Sequence, residues 1–500
     1  MFVNFVRKMN NYIHNELKRD YKMDKEIFVG RNAEMQELID LLKKKSASFV
    51  VVKGRRRIGK SRLLDEFSKD KKTFKFTGLA PQENSTKQSQ LDEFSRQLSA
   101  ATGLPEIKAD DWSKLFTLLA REVKKGRVIV IFDEISWIGS KDPDFLGKLK
   151  NAWDDNFKKN PKLIFIVCGS ISTWIDENIL NNTAFYGRIS WSMNLKPLPL
   201  NDCNLMLQAQ GFKGSIYEKF KVLSVTGGVP WYIEQIQGNF NADDNIKRQC
   251  FSKGGALVEE FDKIFYEVFG KRDKIYKQIV EALSSAPADY DTVVEKTEYQ
   301  SSGRLSQYLS DLLSAGFIKR DFTWSLKTGK ESTISLFRLS DNYLRFYLKY
   351  VLPKYSLIQK GRFKNGSLSS LSGWETIMGL QFENLVLNNR EKIFELLNIR
   401  IEDVVADNPF FQRQTSRKKG CQIDYLIQTK FKNLYVCEIK FSRNPISMKT
   451  IEDVKEKINR LHLPRGSAAL PVLIHVNGVT DNVAESGYFY EIIDFGELLK

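Results

Sequence analysis

The chain has 500 residues, 42% of them apolar and 12% aromatic, which is ample for packed cores and, at roughly 100–200 residues per domain, points to several domains. No run reaches the 18 or so uninterrupted apolar residues of a membrane-spanning helix, so no membrane partner is expected. A net charge of +16 and a pI near 9.3 favour contact with a polyanion such as nucleic acid, although solvated lysine faces give the same sum. The five cysteines (Cys168, Cys203, Cys250, Cys421, Cys437) are odd in number and contain no C-x-x-C pair. That excludes a disulfide framework and a zinc knuckle and fits reduced thiols in a cytoplasmic protein. His14, His462 and His475 are too far apart in sequence to suggest a histidine-based metal or triad site.

Residues 1–25 are charged and lack the apolar core of a signal peptide, so they read as an N-terminal arm, with Met9 and Met23 as alternative starts. From Phe28-Val29-Gly30-Arg31-Asn32 the pattern becomes orderly: Asn32 caps a helix carrying Met35, Leu38, Ile39, Leu41 and Leu42. Then comes Phe49-Val50-Val51-Val52-Lys53-Gly54-Arg55-Arg56-Arg57-Ile58-Gly59-Lys60-Ser61-Arg62. A strand ends in glycine, four residues follow, and Gly-Lys-Ser opens a helix, which is the spacing of a phosphate-binding loop. Residues 54–62 are expected to hold ATP, with backbone N–H groups and the positive helix end around the phosphates. Lys60 would reach the β- and γ-phosphates, and the Ser61 hydroxyl would ligate Mg2+.

Strands are predicted over 73–77, 128–132 and 163–168, with helices over 91–101 and 111–124. The run Val128–Phe132 is apolar without alternation, as in a parallel sheet buried on both faces. Asp133 and Glu134 emerge at its carboxyl end, where ligands of open α/β sheets bind. Asp133 would hold Mg2+ and Glu134 would polarise the attacking water. Ser170, ending the 163–168 strand, is the candidate γ-phosphate sensor, and Arg188, in Tyr186-Gly187-Arg188, the candidate arginine finger. The ATPase core is thus assigned to 26–200 and a helical lid, containing Gly227-Gly228-Val229-Pro230, to 201–270.

Over 271–350 three helical patterns precede two strands at 317–320 and 334–339, the order of a winged helix. Its third helix carries a single basic residue, Arg304, while Lys319, Arg320, Lys327 and Lys330 cluster near the strands; DNA contact and a packing or regulatory module remain two readings. Residues 351–372 read as a linker. Beyond it, 373–500 hold a helix from Trp374 to Asn389 and two strands, 422–427 and 434–440. A hairpin centred on Phe431 places Asp424 opposite Glu438, with Lys440 on the same face. Facing carboxylates repel unless a cation lies between them. A second Mg2+ or Mn2+ is the candidate, with Glu383 completing the cluster, for metal-assisted phosphodiester cleavage. An ordinary hairpin with charged edges would show the same residues. Arg413, Arg417, Lys418 and Lys419 would suit a nucleic-acid backbone.

These motifs, Phe28–Arg31, Gly54–Ser61, Phe132-Asp133-Glu134, Tyr186-Gly187-Arg188 and Gly227–Pro230, together resemble those of the archaeal-type ATPases of the AAA-related P-loop class, found in archaea and bacteria. The C-terminal half is similar to the uncharacterised PD-(D/E)XK nuclease-like domain often fused to them. The resemblance implies an α/β P-loop ATPase with a parallel sheet and helical lid, followed by a winged helix and an α/β restriction-endonuclease-like domain. It implies ATP and Mg2+ as ligands, and a homo-oligomer if Arg188 acts in trans. Nuclease activity does not follow from it; a nucleotide-switched regulator or scaffold with a silent nuclease-like domain is the alternative.

Overall fold

The computed structural model describes residues 28–499 apart from 81–84, 171, 300–302, 364–366, 415, 417 and 418. The N-terminal arm, Lys364 of the expected linker, and Arg417 and Lys418 lie outside the described residues.

The first layer is a five-stranded sheet of β1 (Ser48–Gly54), β2 (Thr73–Thr77), β3 (Val128–Asp133), β4 (Leu163–Gly169) and β5 (Ile189–Leu195), in the order β2-β3-β4-β1-β5. All neighbours run parallel. β3 and β4 are buried throughout, because helices cover both faces. Val50 and Val52 face α1 (Asn32–Leu41) and α2 (Lys60–Ser68), meeting Leu38, Leu63 and Phe67. Phe49 and Val51 face the other way, toward α3 (Lys87–Thr102), α4 (Trp112–Glu122) and α5 (Phe145–Asp155), meeting Phe94, Trp112 and Leu149. β5 is unexpected. Its Ile189, Trp191, Met193 and Leu195 alternate with polar residues, the period-two pattern of a half-exposed edge.

Five helices follow: α6 (Leu200–Ala209), α7 (Ile216–Thr226), α8 (Pro230–Glu234), α9 (Ala242–Cys250) and α10 (Glu260–Phe269). Then come α11 (Asp273–Ala282), α12 (Tyr290–Thr297), α13 (Gly303–Ser314) and the antiparallel pair β6 (Ile318–Trp324) and β7 (Glu331–Leu339), in register Ile318↔Leu339. The segment expected as a linker is not one. α14 (Asn342–Phe346) continues through short helical turns to Gln359, and Val351, Ile358 and Leu368 are fully buried. Lys360 and Arg362, which gave the polar signal, are only its outward face.

The C-terminal sheet has the order β12-β11-β10-β9-β8: β8 (Val404–Gln412), β9 (Cys421–Thr429), β10 (Asn433–Phe441), β11 (Ala468–Val476) and β12 (Glu491–Asp494), with α15 (Trp374–Asn388) before it and α16 (Lys449–Arg460) between β10 and β11. β8, β9 and β10 are antiparallel, whereas β10, β11 and β12 are parallel. α15 lies on one face through Phe382, which also meets Phe220 of α7. Ile458 and Leu461, at the end of α16, pack on the other with Ile423, Leu426 and Val436. One apolar cluster runs from Leu198 to Leu499, so the helical segment, the three-helix unit and the C-terminal sheet share a core. All five cysteines are buried and free.

Candidate functional site

The carboxyl ends of β1, β3 and β4 converge where the loop 54–61 curls into α2. Gly54 has φ +149°, and a Cβ there would sit 2.6 Å from the Leu195 carbonyl oxygen, so only glycine fits. Lys60 is 6% exposed. Its Nζ donates to the Gly54 and Arg55 carbonyls (2.8 and 3.0 Å) and to Ser170 Oγ (2.9 Å). Burial pulls this ammonium below its ordinary pKa, a cost that an incoming anion would relieve. Ser61 Oγ donates to Asp133 Oδ2 at 2.7 Å. Glu134 has φ +52°, a left-handed conformation that costs roughly 1–3 kcal/mol. It aims the carboxylate at Ser170, whose N–H and Oγ donate to it at 3.1 and 2.6 Å. One serine hydroxyl therefore bridges Lys60 and Glu134.

These groups open on a cavity of about 610 Å3. Gly59, Lys60, Ser61 and Arg62 contribute to its polar lining, and Phe28, Met206 and Trp231 to its apolar lining, the mixture a nucleotide requires. Ser61 and Asp133 supply the hard oxygen donors that suit Mg2+.

Arg56 and Arg57 also line this cavity, but all three loop arginines are ion-paired to elements far along the chain. Arg55, buried, pairs with Asp341 at the start of α14, its guanidinium 5.5 Å from the Phe317 ring. Arg56 pairs with Glu267. Arg57 makes two hydrogen bonds to Glu260 (2.9 and 3.2 Å) and stacks on Trp231 at 3.9 Å. Arg31 braces the loop from the other side, donating to the Ile58 and Lys196 carbonyls at 3.0 and 2.7 Å.

Arg188 is not in this cavity. It binds Asp154 at 2.7 Å and precedes Ile189, which pairs with Phe49, whereas Gly54 pairs with Leu195. Five strand residues at ~3.3 Å each put it about 17 Å along the sheet from the phosphate loop, beyond reach of its own chain's nucleotide.

In the C-terminal domain the expected register holds: Leu434 pairs with Gln428 and Cys437 with Tyr425. Asp424 therefore comes beside Glu438, and the Ile439 N–H donates to it at 3.0 Å. What lies between the carboxylates is a residue of the chain itself. Lys457 of α16 donates to Asp424 at 3.2 Å and to Glu438 at 2.5 Å, while Lys440 pairs with Glu438 at 2.8 Å. Glu383 is close enough to be held protonated toward a pKa of about 8, by burial first and then by the Asp424 charge. Of the carboxylates expected to form a metal centre, Asp424 and Glu438 thus have Lys457 between them, and Glu383 lies near enough for the Asp424 charge to act on it. The lysine ammonium supplies the charge a metal would, and no group of three such donors around one point occurs among the described residues.

Sequence reasoning overlooked Lys457, Arg31, Trp231 and the acids Glu260, Glu267 and Asp341. Lys457 and the acids sit in ordinary amphipathic helices or at a helix start, where local pattern says nothing about a partner on another element, 19 and 33 residues away for Lys457 and more than two hundred for the acids. Arg31 was noticed only as part of a motif.

Over residues 28–236 the chain matches the family model described as an ATPase domain predominantly from Archaea. An uncharacterised protein of Methanocaldococcus jannaschii is 26% identical over 386 residues, spanning 75% of this chain and 81% of that protein. Among solved structures, the Walker-type ATPase of Pyrococcus abyssi aligns with TM-score 0.48 and 16% identity over 65% of this chain and 97% of its own. The ORC2 protein of Aeropyrum pernix, in its ADPNP–ADP complexes, aligns with TM-score 0.42 and 13% identity over 67% and 97%. No helix among the described residues is long and apolar enough to cross a membrane. From residue 28 to 236, then, this chain carries an ATPase domain of the archaeal type.

Proposed function

We propose that this protein is an ATP-hydrolysing switch whose phosphate loop reports its occupancy to a winged-helix unit, α11–β7, and to a nuclease-like C-terminal domain that binds nucleic acid without cutting it. The observation that carries the reading is the set of ion pairs from Arg55, Arg56 and Arg57 to Asp341, Glu267 and Glu260. Three consecutive side chains of the loop that receives the phosphates are tied to α10 and to the residue entering α14. A triphosphate must draw Lys60 off the Gly54 and Arg55 carbonyls, and it brings negative charge beside the arginines. Both events shift the loop that Asp341, Glu260 and Glu267 hold.

Within the site, Glu134 is the base that orients the attacking water. Ser170 positions it and senses Lys60 through the shared hydroxyl. Mg2+, when bound beside Ser61 and Asp133, neutralises phosphate charge. Arg188 can serve as a finger only for the nucleotide of a neighbouring copy, so turnover per site should rise with protein concentration and lose that rise in Arg188→Ala.

Hydrogen exchange with and without a non-hydrolysable ATP analogue tests the coupling. Altered protection in α10, α14 and β6–β7 is expected; changes confined to the phosphate loop would remove the transmission. The charge-compensated Asp424–Lys457–Glu438 group favours the silent reading of the C-terminal domain. Supercoiled plasmid should stay intact with ATP and Mg2+ or Mn2+, and nicking that disappears in Asp424→Ala would establish the nuclease instead.

A further inference from the structure

A second large cavity, of about 1030 Å3, lies between the β6–β7 hairpin and the edge of the C-terminal sheet. Its walls come from separate parts of the chain but are fixed to each other. Trp324 Nε1 donates to Gln428 Oε1 at 2.6 Å, Gln428 Nε2 to the Leu326 carbonyl at 2.9 Å, and Thr323 Oγ1 to the Phe411 carbonyl at 2.9 Å. Gly329 at the hairpin tip has φ +71°, and a Cβ there would lie 2.4 Å from Val405 Cγ1 of β8. The hairpin is seated on the sheet, so the groove is preformed and the hairpin is not free to enter a duplex groove as a mobile wing.

Lys327, Lys330, Lys432 and Arg465 line this groove and are exposed. Unlike the loop arginines, none of the four has a carboxylate partner within ion-pair distance among the described residues. Arg413 is satisfied by Asp289 at 3.0 Å, and Glu331 is the lone acid in the lining. Four like charges around one groove repel each other, and a chain of regularly spaced anions relieves that. Aromatic faces accompany the charge. Phe411 is half-buried in the wall; Phe431, 61% exposed, is outside the lining but directly precedes the lining residue Lys432 at the β9–β10 turn, with the Lys430 ammonium 5.4 Å from its ring centroid.

We infer that this groove is a binding site for single-stranded nucleic acid. Lys327, Lys330, Lys432 and Arg465 contact its phosphates, and a base stacks on Phe431. A basic channel with exposed rings is the arrangement single strands use, whereas a duplex keeps its bases paired inside and has none to offer the ring. The inference rests on the nucleic-acid reading proposed above and adds where the strand lies and which form is taken.

Fluorescence anisotropy of the full chain with a fluorescein-labelled twelve-residue oligothymidylate, and with a labelled duplex of the same length, tests it. The single strand should bind at least ten-fold tighter than the duplex, with affinity falling steeply in salt. Lys327→Glu/Lys330→Glu and Lys432→Glu/Arg465→Glu should each weaken binding by ten-fold or more. They should reduce the log–log salt slope by about 0.7 per lost phosphate contact while leaving ATP turnover without nucleic acid unchanged. Phe431→Ala should cost roughly five-fold or more. Wild-type binding that the charge reversals leave intact, or a duplex bound as tightly as the strand, overturns the groove while sparing nucleic-acid binding. No binding of either probe by the wild type overturns the nucleic-acid reading itself.

Discussion

The two carboxylate sites of this chain began as similar patterns and ended as different objects. At the end of β3, Asp133 and Glu134 face hydroxyls of Ser61 and Ser170 and a lysine that the loop's own carbonyls hold. Their cavity stays open, and the nearby arginines are anchored elsewhere. At β9–β10, Asp424 and Glu438 face Lys457 and Lys440 directly. The first site leaves its charges to be completed by a ligand; the second completes them internally. The same pattern of paired carboxylates thus meets different neighbours in the two sites, and what stands opposite them is a tertiary fact.

Four measurements would break or sharpen this contrast. The largest effect is expected at the open site. Glu134→Gln should lower single-turnover hydrolysis by about 10²–10⁴-fold, the usual contribution of a general base, with ATP binding retained; normal turnover would remove its role. At the closed site, Lys457→Met leaves two carboxylates facing each other and should cost up to about 3–5 kcal/mol in denaturant unfolding. Recovery of that loss by Mn2+ would show that the pair takes a metal after all. Next is a pH effect. Glu383 stays protonated in the fold up to about 8 but ionises near its ordinary value when unfolded, so the folded state binds the extra proton between these limits. Its contribution is present at low pH and fades as pH rises through that window, by at most about 1.4 kcal/mol per unit. Glu383→Gln should flatten the slope, and an unchanged profile would place the titration elsewhere. The smallest effect is in the apolar lining of the open cavity. Trp231→Ala loses the stack on Arg57 and one cavity wall, so affinity for a fluorescent ATP analogue should fall roughly two- to five-fold, as a cation–π contact of about 0.5–1 kcal/mol allows.

Much of the ATPase domain was legible in advance. Its strands are continuous Val, Ile and Phe runs, and the phosphate loop is a contiguous motif whose glycine is enforced by a backbone carbonyl. The hairpin register at Asp424 and Glu438 was legible too, because strand pairing across a short turn is local geometry. β5 was missed although its alternation is visible in Ile189–Leu195, and the supposed linker was misread because its polar residues are one face of short helical turns.

By itself, then, the sequence determined the phosphate loop, the carboxylates at the end of β3, and the facing of Asp424 and Glu438, since each depends on residues adjacent in the chain or across one turn. Only the tertiary structure decided where Arg55, Arg56 and Arg57 point, that Arg188 stands at the far end of the sheet, that Lys457 closes the second carboxylate pair, and that the β6–β7 hairpin and the C-terminal sheet enclose a basic groove. Each of those joins side chains that chain folding alone brings together, and a charge does not show in sequence which distant partner will neutralise it.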